Sequence, residues 1–427
     1  MRRSNQPTVP LSAGARAGEE NSSTENGNWL ESSASDQDIR TPDSAVHFTT
    51  VHGNRDVRIF VKQCRSLARS GIQVTMIAPG SADEDERVDG VICRHVNVPR
   101  NRLGRVVVGQ LRVLVRLLKT RAAIYHYHDP ELLPVALVLR MTGRTVVYDA
   151  HEELSTDVLD KPWIPAFLRP MVAKLAGAIE WTTGRFMNAI IVATPGIAPC
   201  YPSSKVALVR NYPPHEEISG SDGDHDATGA DEDEGAVFVG LLNAIRGGYV
   251  LAQAMQQTQH ENASLTVIGA VDDPALREAF ASAVSRGSVS LEGWLARPEA
   301  MASMHRARVG ILLYQPVQHH LISLPNKLFE YMAAGIPVIA SDFPQWREIL
   351  EEVECGIIVD PEDAVAVAAA IDWIYAHPDE AQAMGQRGRN AVLDRFNWNS
   401  EFRTLLGLYQ ALESKHPNAE HVPRRAN

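Results

Sequence analysis

The residues best suited to chemistry gather in one short stretch, Asn326-Lys327-Leu328-Phe329-Glu330, closed off by Gly335 and Pro337. Asn326 has the side chain of a helix N-cap, Gly335 can end the helix, and Pro337 cannot continue it. Lys327 then stands in the first turn, where a helix already carries positive partial charge. An anion there resolves the conflict, because a pyrophosphate would take hydrogen bonds from the free N–H groups and from the ammonium. Glu330, one turn further on, can accept hydrogen bonds from hydroxyls attached to that anion. The alternative is a solvated helix showing Lys327 and Glu330 to water.

A second anion-binding element is Phe238-Val239-Gly240-Leu241-Leu242-Asn243-Ala244-Ile245-Arg246-Gly247-Gly248. It follows a strand-like run and opens a helix; Gly240 lets backbone come close, and Arg246 supplies charge. In the first half, His126 and His128 follow the run from Ile124, and alternation puts both on one face of a strand. A turn at Asp129-Pro130 would release His128 into a cleft. His151 ends the next strand and is a third candidate, beside Glu152 and Glu153, which can simply cap the following helix. For each histidine the alternative is a structural role at a strand end.

These residues need a scaffold. Val46–Val51, a helical run with Val57, Phe60, Val61, Cys64 and Leu67 on one face, and Gln73–Ala78 form a βαβ unit. The alternation continues through 124–127, 145–148 and 190–193, breaks, and restarts with 236–240, 264–268, 289–291, 309–313, 337–340 and 356–359. Two doubly wound α/β domains are expected, and such sheets bind ligands at the carboxyl ends of their strands. The chain of 427 residues is long enough for both. Expected boundaries are a disordered tail over 1–44, a first domain over 45–214, an acidic linker over 215–234, a second domain over 235–395, a closing helix over 396–415 and a tail over 416–427.

The net charge of −11 misleads, since residues 1–44 carry −3 and residues 215–234 carry −9, leaving the remainder near +1. Four scattered cysteines lack metal-ligand spacing and suggest thiols rather than a disulfide frame. No run of about 18 apolar residues and no signal-like start is visible, so the expected compartment is the cytosol. The Asp-x-Asp strings that could hold a divalent cation lie in the acidic linker, so no metal is expected. Positive charge from Arg246, Lys327 and helix N-termini would serve instead.

The segment from Leu324 to Asp342, with His126-Tyr127-His128-Asp129-Pro130 and Tyr148-Asp149-Ala150-His151-Glu152, resembles the family 4 retaining glycosyltransferases of the GT-B fold. The resemblance spans roughly residues 46 to 412. It implies two Rossmann-like domains facing a central cleft, with a C-terminal helix that crosses back to the first domain. It also implies a nucleotide diphosphate-sugar donor as substrate, no cofactor, and transfer with retention to a glycan or lipid-linked acceptor in surface polysaccharide or glycolipid synthesis. Gly240, Arg246, Ser323, Asn326, Lys327 and Glu330 fall to the donor, with Glu330 on the ribose hydroxyls. His128, then His126 and His151, fall to the transferred sugar and acceptor.

Two positions depart from the family pattern. Ile322 replaces a second glutamate, leaving Ser323 or backbone N–H groups for the sugar hydroxyls, and Leu241 replaces an arginine. Those departures keep a non-catalytic nucleotide-sugar-binding protein among the readings, and a nucleotide-sugar epimerase of the same architecture is the other alternative. No nucleic-acid partner is expected. From Arg94 to His128 there is no acid until Asp129, while Arg100, Arg102, Arg105, Arg112, Arg116, Lys119 and Arg121 interleave with valines and leucines. A helix over about 103–120 would bury part of this apolar set and offer a basic face to an anionic membrane surface at the inner face, or to water as an ordinary domain helix.

Overall fold

A computed structural model describes residues 41–81, 85–99, 101, 104–150, 154–158, 164–215 and 234–415. The expected N-terminal tail up to residue 40, most of the acidic linker with its Asp-x-Asp strings, the C-terminal tail, Arg100, Arg102 and His151 lie outside the described residues.

The first sheet contains β1 (Ser44–Phe48), β2 (Gln73–Pro79), β3 (Glu86–Val88), β4 (Val91–Val96), β5 (Ile124–Tyr127), β6 (Thr145–Ala150), β7 (Ala189–Val192) and β8 (Val206–Leu208). Their order is β3-β4-β2-β1-β5-β6-β7-β8. Every pairing is parallel except β3 with β4. The second sheet contains β9 (Glu234–Val239), β10 (Leu265–Ile268), β11 (Val289–Gly293), β12 (Ala307–Leu312), β13 (Val338–Ser341) and β14 (Gly356–Val359), ordered β11-β10-β9-β12-β13-β14 and parallel throughout. Asp43 and Ser44, placed in the expected tail, take part in the sheet: Gln73 N donates to Asp43 O at 3.0 Å and Ser44 pairs in β1.

Each sheet is buried on both faces, as parallel sheets must be. Alternation in the first sheet sends Val46, Phe48, Tyr125, Tyr127 and Tyr148 to one core, together with Val113, Leu117 and Leu139. Ala45, Ile124 and Val147 go to the other, covered by Ile59, Phe60 and Cys64 and by Trp398, Leu405, Leu408, Tyr409 and Leu412. Those last five belong to the helix Trp398–Lys415, so the C-terminal helix closes the first domain's core. Trp398 fixes the crossing, its N–H donating to Pro213 O at 2.9 Å and its Nε1 to Ser66 Oγ at 2.8 Å.

In both sheets the chain reverses direction beside the first strand. The switch points are β1/β5 and β9/β12. Ligands of doubly wound sheets bind outside the carboxyl ends of strands at such points. The two carboxyl edges approach one another: a Cβ on Gly196, in the turn after β7, would sit 3.0 Å from Ile322 Cβ, just ahead of the helix Asn326–Ala334.

Candidate active site

At the β9/β12 switch point the loops after β9, β10 and β12 pass in contact. Gly240 and Gly269 have φ of +133° and +132°, and a Cβ on Gly269 would meet Gly240 O at 2.0 Å, so only glycine fits there. A turn over Ala244–Arg246 follows, capped by Asn243 Oδ1 accepting from Arg246 N at 3.0 Å. Gly247 starts the next helix in the left-handed region and packs on Leu313 O. The Arg246 guanidinium lies 5.6 Å from the centre of the Tyr314 ring and donates to Leu241 O at 3.3 Å. The sequence reading missed Tyr314; it follows a buried strand and looks like core.

The helix Asn326–Ala334 brings the second cluster to the same edge. Asn326 is not its cap: Pro325 takes that position in extended conformation, and its carbonyl accepts Leu328 N at 3.2 Å. Proline's fixed φ suits this turn, leaving Asn326 as an exposed first helical residue without a capping bond. Lys327 pairs with Glu330 across one turn, and Arg297 Nη2 reaches the same carboxylate at 3.3 Å. Glu330 is 6% exposed. Burial raises its pKa, but Lys327 and Arg297 outweigh this and hold it below the ordinary carboxylate range, with Lys62 of the first domain contributing. Arg297 was not nominated from sequence; it lies beyond β11 and has no motif around it. Ser323 turns its hydroxyl back to His320 O at 3.0 Å, while Ser323 O accepts Trp346 Nε1 at 2.8 Å.

At the β1/β5 switch point the loops are tied by Asp129. Its Oδ2 accepts from Thr49 Oγ1 at 2.7 Å and from Val51 N at 3.2 Å. The expected turn forms over Pro130–Leu132, yet it does not free His128, which is 1% exposed. The reason is alternation. His47 and His126 are register partners, and with His128 they point to the face covered by the C-terminal helix. His128 stacks on His47 and on His126, with centroids 5.2 and 4.7 Å apart, while the His47 and His126 rings are tilted at 4.5 Å.

His128 Nδ1 lies 3.2 Å from Asp149 Oδ2, and His128 Nε2 lies 3.0 Å from His47 Nδ1. Asp149 is gripped by Arg58, through Nε at 3.0 Å and Nη2 at 2.7 Å, and by Gln63 Nε2 at 2.6 Å. His47, Asp149 and Tyr409 were missed because their meeting depends on strand order and on the crossing helix. Nitrogens of His47, His126 and His128 lie within 4.8 Å of one another, the one group among the described residues with metal-ligand spacing. One hydrogen bond, between His47 Nδ1 and His128 Nε2, links two of these rings, and His126 Nδ1 is bonded to Tyr409 OH.

A family profile described as Glycosyltransferase Family 4 matches residues 57–199, the first domain, and one described as Glycosyl transferases group 1 matches residues 233–377, the second. The chain belongs to glycosyltransferase family 4. Among solved structures, sucrose-phosphate synthase from Thermosynechococcus elongatus shares the fold of this family 4 member at a TM-score of 0.67 and 20% identity, over 87% of this chain and 100% of that one. A glycosyltransferase from Rickettsia africae aligns at 0.65 and 13% identity, over 86% and 98%.

Curated relatives of the family 4 chain include an alpha-maltose-1-phosphate synthase of Mycolicibacterium smegmatis, 25% identical over 42% of this chain and 48% of that protein. A D-rhamnosyltransferase of Pseudomonas aeruginosa is 24% identical over 35% and 38%. The chain thus spans less than half the length of these curated relatives.

Proposed function

We propose that this chain is a retaining glycosyltransferase that moves a sugar from a nucleotide diphosphate-sugar to a hydroxyl of a glycan or lipid-linked acceptor. The observation that carries the reading is the convergence of Arg246, Lys327, Arg297 and Glu330 on the carboxyl edge of the second sheet around its switch point. Three cations and one carboxylate match a ligand with a diphosphate at one end and vicinal hydroxyls at the other. In this reading Glu330 accepts from the ribose, the helix start at Asn326 and Lys327 faces the diphosphate, and Arg246 beside Gly240 completes the charge. Ser323 stands near the transferred sugar. The bond from the anomeric carbon to the diphosphate breaks as the acceptor oxygen attacks from the same face, and the hydroxyl proton passes to the departing phosphate. Charge building on that phosphate is what the cations stabilise.

On the acceptor side we assign the supporting imidazole to His128, held by Asp149; to meet a hydroxyl its Nε2 must leave His47. His126 lies beneath it, and His151 stays a candidate outside the described residues. The experiment is a panel of nucleotide sugars incubated with the chain, with and without glycan and lipid-linked acceptors. Release of nucleoside diphosphate with an α-linked product from an α-linked donor supports transfer with retention. Conversion of the donor without any acceptor means an epimerase.

A lipid surface as partner is the second part of the proposal. The helical segments Arg105–Gly109 and Gln110–Leu118 bury Val113 and Leu117, but leave Val107, Leu111, Val115 and Leu118 exposed beside Arg112, Arg116 and Lys119. The outward face is therefore apolar as well as basic, not basic alone as the sequence suggested. Leu133–Met141 packs between this helix and Arg169–Phe186, whose Met171, Leu175 and Trp181 are exposed too. Among the described residues no helix is long and apolar enough to cross a membrane. Peripheral docking on anionic lipid at the inner membrane face fits this combination.

A further inference from the structure

Hydrogen bonds link the buried histidines to a hydroxyl supplied by the C-terminal helix, and the Asp149 carboxylate stands against the other end. Tyr409 OH lies 2.9 Å from His126 Nδ1 and 3.1 Å from His47 Nε2, His47 Nδ1 lies 3.0 Å from His128 Nε2, and His128 Nδ1 lies 3.2 Å from Asp149 Oδ2. A neutral imidazole has one donor nitrogen and one acceptor nitrogen, so fixing one fixes the other. Asp149, ionised against Arg58, favours a proton on His128 Nδ1 and leaves Nε2 as an acceptor. His47 Nδ1 must then donate and His47 Nε2 must accept. The Tyr409 hydroxyl donates to that nitrogen, and its oxygen takes the remaining bond from His126 Nδ1–H. Each contact dictates the next, and a single arrangement of protons satisfies the three hydrogen bonds and turns the His128 Nδ1–H to the Asp149 carboxylate. Burial supports the neutral forms: it pushes His47 well below the usual histidine range, aided by His126 and opposed by Asp149, and pushes the Tyr409 phenol far up, so it keeps its proton.

We propose that Asp149 is the positioning residue for His128, holding it as the Nδ1–H tautomer with an Nε2 lone pair, and that His47 and Tyr409 of the C-terminal helix extend the same proton order to His126. Free imidazole side chains in water favour the Nε2–H form, so all three histidines are held in the less common state. The catalytic consequence rests on the transferase reading: once the His47 contact opens, His128 presents an acceptor, not a donor, to a substrate hydroxyl. The protonation pattern itself does not depend on that reading.

The test uses the full chain labelled with ¹⁵N-histidine, with long-range ¹H–¹⁵N correlation reading both ring nitrogens and assignments made by substituting each histidine. At neutral pH the wild-type chain should show His47, His126 and His128 protonated at Nδ1. Tyr409→Phe keeps the ring in the core and removes the hydroxyl, and should turn His126, whose Nδ1–H loses its acceptor, into a tautomer mixture while His128, set by Asp149, stays protonated at Nδ1. An Nε2–H signal for His128 in wild type overturns the proposal without needing any variant. So does a Tyr409→Phe spectrum unchanged at all three, or a pattern abolished by a chelator, which would put a metal ion where the protons are. Titrating the same wild-type sample with UDP and GDP sugars separates the two claims. Absence of binding there counts against the transferase and leaves the tautomers standing.

Discussion

Asp56 Oδ2 lies 3.1 Å from His52 Nδ1, while Asp56 Oδ1 accepts the N–H groups of Arg58 and Ile59, both at 2.9 Å. One carboxylate thus caps the helix Val57–Cys64 and holds the loop after β1. Burial works to raise its pKa, but the bonds from His52 and Ile59 bring it down to about 2. The stabilisation is present above the ordinary aspartate value and lost as pH falls through about 2. His52 is shifted up, chiefly by Asp56, so its share is full below the ordinary histidine value and lost as pH rises through the raised one. Asp56→Ala should cost about 0.5–2 kcal/mol near pH 5–6. Denaturant melts across pH should show the gap to wild type closing below about pH 3; a gap that does not change with pH would contradict the assignment.

His128→Gln should leave affinity for the donor nucleotide unchanged and slow sugar transfer by about 100-fold or more. The comparison needs calorimetry and a transfer assay on the same preparation. Unchanged transfer would make His128 structural and move attention to His126 or His151.

Leu405 and Leu408 of the C-terminal helix are fully buried against the first domain's core. Leu405→Ala should destabilise by about 2–5 kcal/mol, read as a lowered midpoint of urea unfolding. A change below about 1 kcal/mol would mean that the crossing helix is not needed to close that core.

The exposed apolar and basic face of residues 105–119 should bind anionic vesicles in sedimentation and release them at high salt, since each Lys or Arg near such a surface contributes about 1 kcal/mol. Changing Arg112, Arg116 and Lys119 to Ser should abolish binding. Equal binding to neutral and anionic vesicles, or to neither, contradicts docking by charge.

Much of the fold was legible because parallel strands buried on both faces read as short apolar runs, as in 145–148 and 236–240. The β3–β4 hairpin was missed: Glu86-Arg87-Val88 is a polar edge, although its Asp89-Gly90 turn, with φ of 51° and 84°, carries a hairpin signal. Alternation placed His126 and His128 on one face correctly. The release of His128 failed because the same alternation carries it to the face covered by the C-terminal helix, and Asp129, expected only to turn the chain, also ties it to the β1 loop. That Lys327 and Glu330 lie one turn apart on a helix could be read from spacing, whereas Arg297 and Tyr409 arrive from distant elements that no local pattern connects.

The donor site is tested most directly by thermal unfolding against a panel of nucleoside diphosphates and their sugars, because a bound donor stabilises the chain by mass action. At least one nucleotide should raise the midpoint of the wild-type chain. The same nucleotide should bind Arg246→Ala and Glu330→Ala more weakly by about 1.5–3 kcal/mol, the loss of a charge-assisted hydrogen bond. No stabilisation by any nucleotide, or wild-type affinity in both variants, would contradict a donor site at the β9/β12 edge.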